Sequence, residues 1–249
     1  MTDIGLLEVL HHAADAVEVA LGGVADWGLT GAIAGQHHSD LAADAAAVEV
    51  LVGAGLGVLS EESGRHHPER DITVVVDPLD GSTNASRRIP WFATSLCAVD
   101  GDGPLAALVV HLGAGARFSA VRGGGAHLDG APIAPSSCTH LAAAVVALSG
   151  YPPTYLGWYQ YRALGAVALD LCAVAAGRLD AYIDCSPSAH GPWDYLGGLL
   201  VCREAGVPVV DAEERELVVL DHAARRTPVA AATPELLDEV LEARRSLPW

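Results

Sequence analysis

The stretch Val74–Asn84 limits the possible folds more than any other part of this chain. Three valines run into Asp77-Pro78-Leu79-Asp80-Gly81-Ser82-Thr83-Asn84. A β-branched run favours a strand, and the Asp-Pro step is expected to hold Asp77 extended and end that strand. Asp77 and Asp80 then share a tight turn in which Gly81 is free to take backbone angles other residues avoid. Ser82, Thr83 and Asn84 are good residues for starting a helix. Carboxylates at a strand end, beside bare backbone N–H groups, suit a hard divalent cation that in turn holds a phosphate. Taken alone, the same residues also make an ordinary Asp/Asn/Gly turn.

Two further stretches favour the chemical reading. Val58-Leu59-Ser60-Glu61-Glu62 is a second short apolar run ending in carboxylates. Trp193-Asp194-Tyr195-Leu196-Gly197-Gly198 leads through a helical pattern to Glu204-Ala205-Gly206, and then to Val209-Val210-Asp211. In this order and spacing, the three stretches resemble the inositol monophosphatase family of Mg²⁺-dependent, lithium-sensitive phosphatases. Arg162–Gly165 and Ala175–Tyr182 extend the match, so the resemblance covers nearly the whole chain.

That resemblance implies a layered α-β-α-β-α sandwich and hydrolysis of a small polar phosphate monoester, most simply inositol 1-phosphate. Histidinol phosphate, fructose 1,6-bisphosphate and 3′-phosphoadenosine 5′-phosphate are handled by similar enzymes, and a catalytically idle, ligand-binding homologue is the other class to weigh. It implies two or three Mg²⁺ ions and inhibition by lithium. Glu61, Asp77 and the Leu79 carbonyl would hold the first ion, Asp77, Asp80 and Asp194 the second, and Glu61 with water a third. Ser82, backed by Asp44, would orient the attacking water. Gly81 and Ser82 would present N–H groups to the phosphate, with Asp80 and Asp194 also near the substrate. Asp184 stands where inositol-type enzymes often carry a sugar-binding Glu and is one methylene shorter. Asp44 lacks the threonine that usually precedes it, and a plain helix-surface role is its alternative. A homodimer is implied as well, supported by apolar surface in Phe92–Val99 and Leu105–Val110.

Composition narrows the partners. Fourteen Lys and Arg against 31 Asp and Glu give a formal charge of −17. Such a chain is a poor nonspecific binder of nucleic acid or anionic membrane. An anionic substrate fits it only if bound cations reverse the field locally. No apolar run is long enough for a membrane span, and the Met1-Thr2-Asp3 start has no basic flank, so a soluble cytoplasmic protein is expected. The five cysteines form no Cys-x-x-Cys and read as buried reduced thiols. Three His-His pairs look like metal ligands, but adjacent residues on a helix do not share a face.

The chain divides into a 1–136 α+β unit and a 137–249 α/β unit, with Ala134–Thr139 as linker. Helices are expected over Ile4–Leu21 and Asp40–Val52, then strands at Ile72–Val76, Phe92–Val99, Leu105–Leu112, Arg117–Val121, Ala126–Leu128 and Ala131–Ile133. The second unit should hold strands Ala143–Leu148, Leu179–Ile183, Val207–Val210, Leu217–Leu220 and Val229–Ala232. Its helices should cover Arg162–Ala176, Asp194–Ala205 and a last one opening at Thr233-Pro234-Glu235. Gly123-Gly124-Gly125 has no helix pattern after it, and the resemblance implies a Gly-rich hairpin corner there.

Overall fold

The computed structural model describes residues 3–32 and 35–247; the Met1-Thr2 start lies outside them. Helices α1 (Asp3–Gly22) and α2 (His38–Gly53) come first. Leu10, Ala14, Val17 and Leu21 of α1 and Ala43, Ala47 and Leu51 of α2 recur at helical spacing and are buried. They cover one face of an eight-stranded mixed sheet. Its strands are β1 (Gly57–Ser60), β2 (Gly64–His66), β3 (Thr73–Asp80), β4 (Ala93–Asp100), β5 (Gly103–His111), β6 (Ala116–Val121), β7 (Gly125–Leu128) and β8 (Ala131–Pro132), in the order β2-β1-β3-β4-β5-β6-β7-β8. Strands β1 and β3 run parallel; the other neighbours are antiparallel.

Period-two alternation sends the two sides of each central strand into different cores. Val74, Val76, Leu96, Ala98, Leu108 and Val110 pack with α1 and α2. Val75, Cys97, Val99, Ala107 and Val109 pack with α4 (Val167–Ala175) and α5 (Pro192–Glu204). Both faces are therefore covered within the chain. This corrects the expectation of surplus apolar surface on Phe92–Val99 and Leu105–Val110, and removes that support for a dimer.

Helices α4 and α5 lie between this sheet and a second one. The second contains β9 (Val145–Ser149), β10 (Gln160–Arg162), β11 (Ala181–Asp184), β12 (Val209–Asp211) and β13 (Pro228–Ala231), in the order β10-β9-β11-β13-β12. Its far face is covered by α6 (Pro234–Arg245), whose Thr233 cap accepts a hydrogen bond from the Leu236 N–H at 3.2 Å. The layers run α-β-α-β-α, as the resemblance implies.

Local departures from the sequence expectation each have a cause. Strand β3 does not stop at the Asp-Pro step. Its pairing with β4 shifts register between Asp77 and Asp80, and this irregularity takes in Pro78 and its missing N–H. The Thr94 hydroxyl bonds the Pro78 carbonyl at 2.9 Å. The short helix α3 (Ser82–Ser86) follows Gly81, whose φ of 84° is left-handed. Residues 160–162 form β10 rather than the start of a helix; Gly165 intervenes at φ 85° and α4 begins at Val167. Leu217–Leu220 is not a strand. The Tyr195 hydroxyl takes the Leu217 carbonyl at 2.7 Å, and β12 pairs directly with β13. Strand β2 carries no apolar alternation, so no sequence pattern predicts it. All five cysteines are free thiols, four of them buried. The Gly123–Gly125 corner joins β6 to β7, and its N–H groups at 123 and 125 bond the Glu204 carboxylate at 2.9 and 3.0 Å.

Helix α5 is the central piece, because it touches both the first sheet and α4. Its paired glycines make that contact possible. A Cβ at Gly197 would lie 2.5 Å from Ser95 Oγ, and one at Gly198 only 2.7 Å from Leu171 Cβ and 3.1 Å from the Ala168 carbonyl. The serine can rotate away, whereas a Cβ and a backbone oxygen cannot. Gly198→Ala should therefore cost about 1–3 kcal/mol from overpacking, offset by about 1 kcal/mol of helix propensity. Its urea midpoint should fall below those of wild type and Gly197→Ala. A Gly198→Ala protein more stable than wild type would contradict this packing.

Candidate metal centre and active site

Glu61 follows β1, Asp77 and Asp80 lie at the end of β3, and Asp194 sits in the first turn of α5. Parallel pairing of β1 with β3 sets Ser60 beside Val76, which brings the two strand ends to the same place. Helix α5 reaches them from the other side of the sheet. One carboxylate oxygen each from Glu61, Asp77 and Asp194 lies within 4.8 Å of the others.

The acids are fixed by the backbone around them. Asp77 Oδ1 accepts a hydrogen bond from the Leu79 N–H at 3.0 Å, and Asp80 Oδ2 one from the Ala168 N–H at 2.8 Å. Asp194 Oδ2 accepts from the Gly191 N–H at 2.8 Å. Burial first, then the charges of Glu61, Asp80 and Asp194, pushes the Asp77 carboxyl well above its ordinary range. Asp80 is raised in the same way, by burial and by Asp194. Glu61 is pushed up to about 8 by burial, with Asp194 and Glu62 adding to it. The largest charges acting on these groups are all acidic. An all-oxygen set of converging, mutually repelling carboxylates fits a hard divalent cation, and no thiol or imidazole is among the three.

A cleft of about 410 Å³ opens over this centre, lined by Gln36, Asp40, Glu61, Leu79, Ser82 and Arg225, among others. Trp193 forms part of its wall. The His222 ring lies 4.7 Å from the Trp193 ring, and the Arg225 guanidinium 5.2 Å from it. The His222 Nε2 also donates to the Glu61 carbonyl at 3.0 Å. A larger groove, about 860 Å³ around Tyr151, Tyr155, Trp158 and Tyr161, has no carboxylate in its lining and lies apart from this chemistry.

The remaining sequence candidates fall as follows. Ser82 lines the cleft as the first residue of α3, after Gly81. Asp44 is buried in α2 and accepts a hydrogen bond from the Ser60 hydroxyl, not from Ser82. Asp184 is fully buried; its Oδ1 accepts from the Ser186 N–H at 2.8 Å and its Oδ2 lies 3.4 Å from His190 Nε2. No sequence motif assigns a role to Gln36, Asp40, His222 or Arg225. Gln36 and Asp40 flank the start of α2, and His222 and Arg225 stand in irregular chain between β12 and β13, where no periodicity points to them. None of the three His-His pairs joins a metal-type cluster among the described residues.

The chain belongs to the inositol monophosphatase family, whose sequence profile matches residues 40–248. That membership makes the layered sandwich, with carboxylates converging at its strand ends, a phosphoric monoester hydrolase. It is 37% identical over 217 residues to a fructose-1,6-bisphosphatase/inositol-1-monophosphatase of Thermococcus kodakarensis, covering 85% of this chain and 83% of that protein. It is 34% identical over 170 residues to the Nus factor SuhB of Escherichia coli, covering 62% of each. Among solved structures, a Pyrococcus horikoshii protein with similarities to inositol-1 monophosphatase superposes with a TM-score of 0.82 at 26% identity, covering 96% of both chains. The inositol monophosphatase of Anabaena gives 0.80 at 25% identity, covering 98% of this chain and 96% of that one. No helix among the described residues is long and apolar enough to cross a membrane.

The raised carboxyls fix the pH dependence of the cation-free protein. Glu61 titrates near 4.5 when unfolded and at about 8 when folded, so the folded state holds its proton more tightly. Stability is then fully present below pH about 4.5, falls as the pH rises through this window, and levels off above about 8. Asp77 and Asp80 act in the same sense. In EDTA the thermal midpoint should be lower at pH 8 than at pH 5.5, and a divalent cation should narrow the gap. A midpoint that rises over this interval in EDTA would contradict the electrostatics described here.

Proposed function

We propose that the chain hydrolyses the phosphate monoester of a small polyhydroxylated metabolite, with inositol 1-phosphate as the first substrate to test and Mg²⁺ as the working ion. The observation that carries this is the convergence of Glu61, Asp77 and Asp194 from three separate elements. A divalent cation held there supplies the Lewis acidity that neutralises charge on the transferring phosphoryl group. Asp77, the most buried of the three, would share the cation with Glu61 and Asp194, and Asp80 and the Leu79 carbonyl would complete the oxygen donors. Gly81 and Ser82 offer N–H groups to the phosphate, and the Ser82 hydroxyl orients the attacking water. Glu61, held at its carbonyl by His222, would take that water's proton. Asp44 acts through Ser60, whose hydroxyl it fixes and whose Oγ also accepts from the Glu62 N–H at 3.3 Å. Its role is to hold the strand end that carries Glu61.

Fructose 1,6-bisphosphate is the second reading. The Thermococcus relative is named for both activities, and a Pyrococcus furiosus fructose-1,6-bisphosphatase is 32% identical over 190 residues. Arg225 in the cleft wall gives a second anionic group a cation to meet. A panel of the two esters with and without Mg²⁺ separates the readings.

Asp77→Asn should remove Mg²⁺-dependent phosphate release while leaving the far-ultraviolet circular dichroism unchanged. Retention of more than about a tenth of wild-type turnover, a loss of under about 1.4 kcal/mol in barrier terms, would overturn the metal assignment. A homodimer, proposed from the family resemblance, should give a light-scattering mass of two chains at micromolar concentration; a mass of one chain would refute it.

A further inference from the structure

The loop 185–190 leaves β11 and returns a histidine over the carboxyl ends of β9 and β11. His190 is tightly surrounded there. Its Nδ1 lies 3.3 Å from Asp194 Oδ2, in donating position, since a carboxylate only accepts. Its Nε2 lies 3.2 Å from Ser149 Oγ of β9, 3.2 Å from the Tyr182 hydroxyl of β11 and 3.4 Å from Asp184 Oδ2. Its side chain is only 12% exposed. Both ring nitrogens are thus committed inside the protein, and neither is spare for a substrate hydroxyl.

The other end of this chain of contacts is equally closed. Asp184 has no exposed surface, and its Oδ2, without a hydrogen-bond partner, lies 3.4 Å from the imidazole Nε2. The Asp184 carbonyl is itself held by Arg244 Nε at 2.7 Å. A buried acid facing a buried imidazole, which in turn faces a candidate metal ligand, is the arrangement that fixes a ligand's orientation from behind. Asp194 Oδ2 is then held twice, by the Gly191 N–H and by His190.

We infer that His190, anchored by Asp184, Tyr182 and Ser149, is a positioning residue that locks the Asp194 carboxylate in its cation-binding orientation, and that Asp184 acts through His190 rather than on the substrate. This rests on the reading of Glu61, Asp77 and Asp194 as a metal centre. The imidazole ties the second sheet to a ligand whose two companions belong to the first. Without it, Asp194 keeps one backbone hydrogen bond and is free to turn about its side-chain torsions.

The test compares two substitutions of nearly the same shape, His190→Leu and His190→Asn, of which only the second keeps a donor for Asp194. Mn²⁺ binding is followed by the paramagnetic resonance of the free ion, and folding by the thermal midpoint in EDTA. His190→Leu should bind Mn²⁺ about ten- to a hundredfold more weakly than wild type, the range found when such supporting partners are removed. His190→Asn should recover most of that loss. Mn²⁺ affinity of the leucine variant within twofold of wild type would overturn the inference, and so would equal losses in the two variants. If the leucine variant does not fold, His190→Ala takes its place and the same two outcomes would overturn the inference. A wild-type protein that binds no Mn²⁺ would overturn the metal reading itself, and this inference with it.

Discussion

Electrostatic repulsion among buried acids governs this molecule. Asp77, Asp80, Asp194 and Glu61 are held close together, and burial first, then neighbouring acids, raises the carboxyls of Asp77, Asp80 and Glu61. Left ionised and uncompensated, such groups are strongly destabilising. The fold tolerates them because backbone N–H groups from Leu79, Ala168 and Gly191 are already in place, and because packed layers on both sides resist any spreading. An acidic group of this kind could hold a metal ion, and an all-oxygen set of carboxylates suits a hard divalent cation.

Much of this is legible in the sequence because it depends on local chemistry. Asp-Pro-Leu-Asp-Gly after a valine run locates two acids without reference to anything distant. The period-two pattern of β4 and β5 gives strands, and the Thr233-Pro234-Glu235 start gives α6. What the sequence hides is mostly tertiary. The apolar faces of β4 and β5 look like surplus surface until α4 and α5, far outside the roughly 11–18-residue window in which periodicity is read, are seen to cover one of them. Strand β2 and the false strand at Leu217–Leu220 show the same limit, since partners rather than propensity decide both.

The site is less completely legible than the fold. The metal-type acids sit on motifs, whereas Gln36, His222 and Arg225 sit in irregular chain and reach the cleft only through the packing of other elements. Asp184 illustrates a different difficulty. Its position near the substrate loop is readable, but its direction is not, because whether a strand-end acid faces solvent or core depends on what the next loop does. Here His190 lies between it and the centre. Asp44 is similar: the residue lies near the site, but its hydroxyl partner is Ser60 and not Ser82.

Helix α5 carries Asp194 in its first turn and Glu204 at its last residue, and Glu204 is gripped by the glycine corner between β6 and β7. The ten helical steps from Asp194 to Glu204 span roughly 15 Å. Over that length a rotation of one degree about Glu204 would move Asp194 by about 0.26 Å, from the same helix geometry. The glycine corner therefore pins the far end of the helix whose first turn carries a candidate metal ligand. Because misplacements of about 1 Å at a reacting centre cost on the order of a hundredfold in rate, the angular tolerance at that remote hairpin would be only about four degrees. Mechanical precision at the centre is thus set partly at the opposite edge of the first sheet, in a turn that touches no substrate.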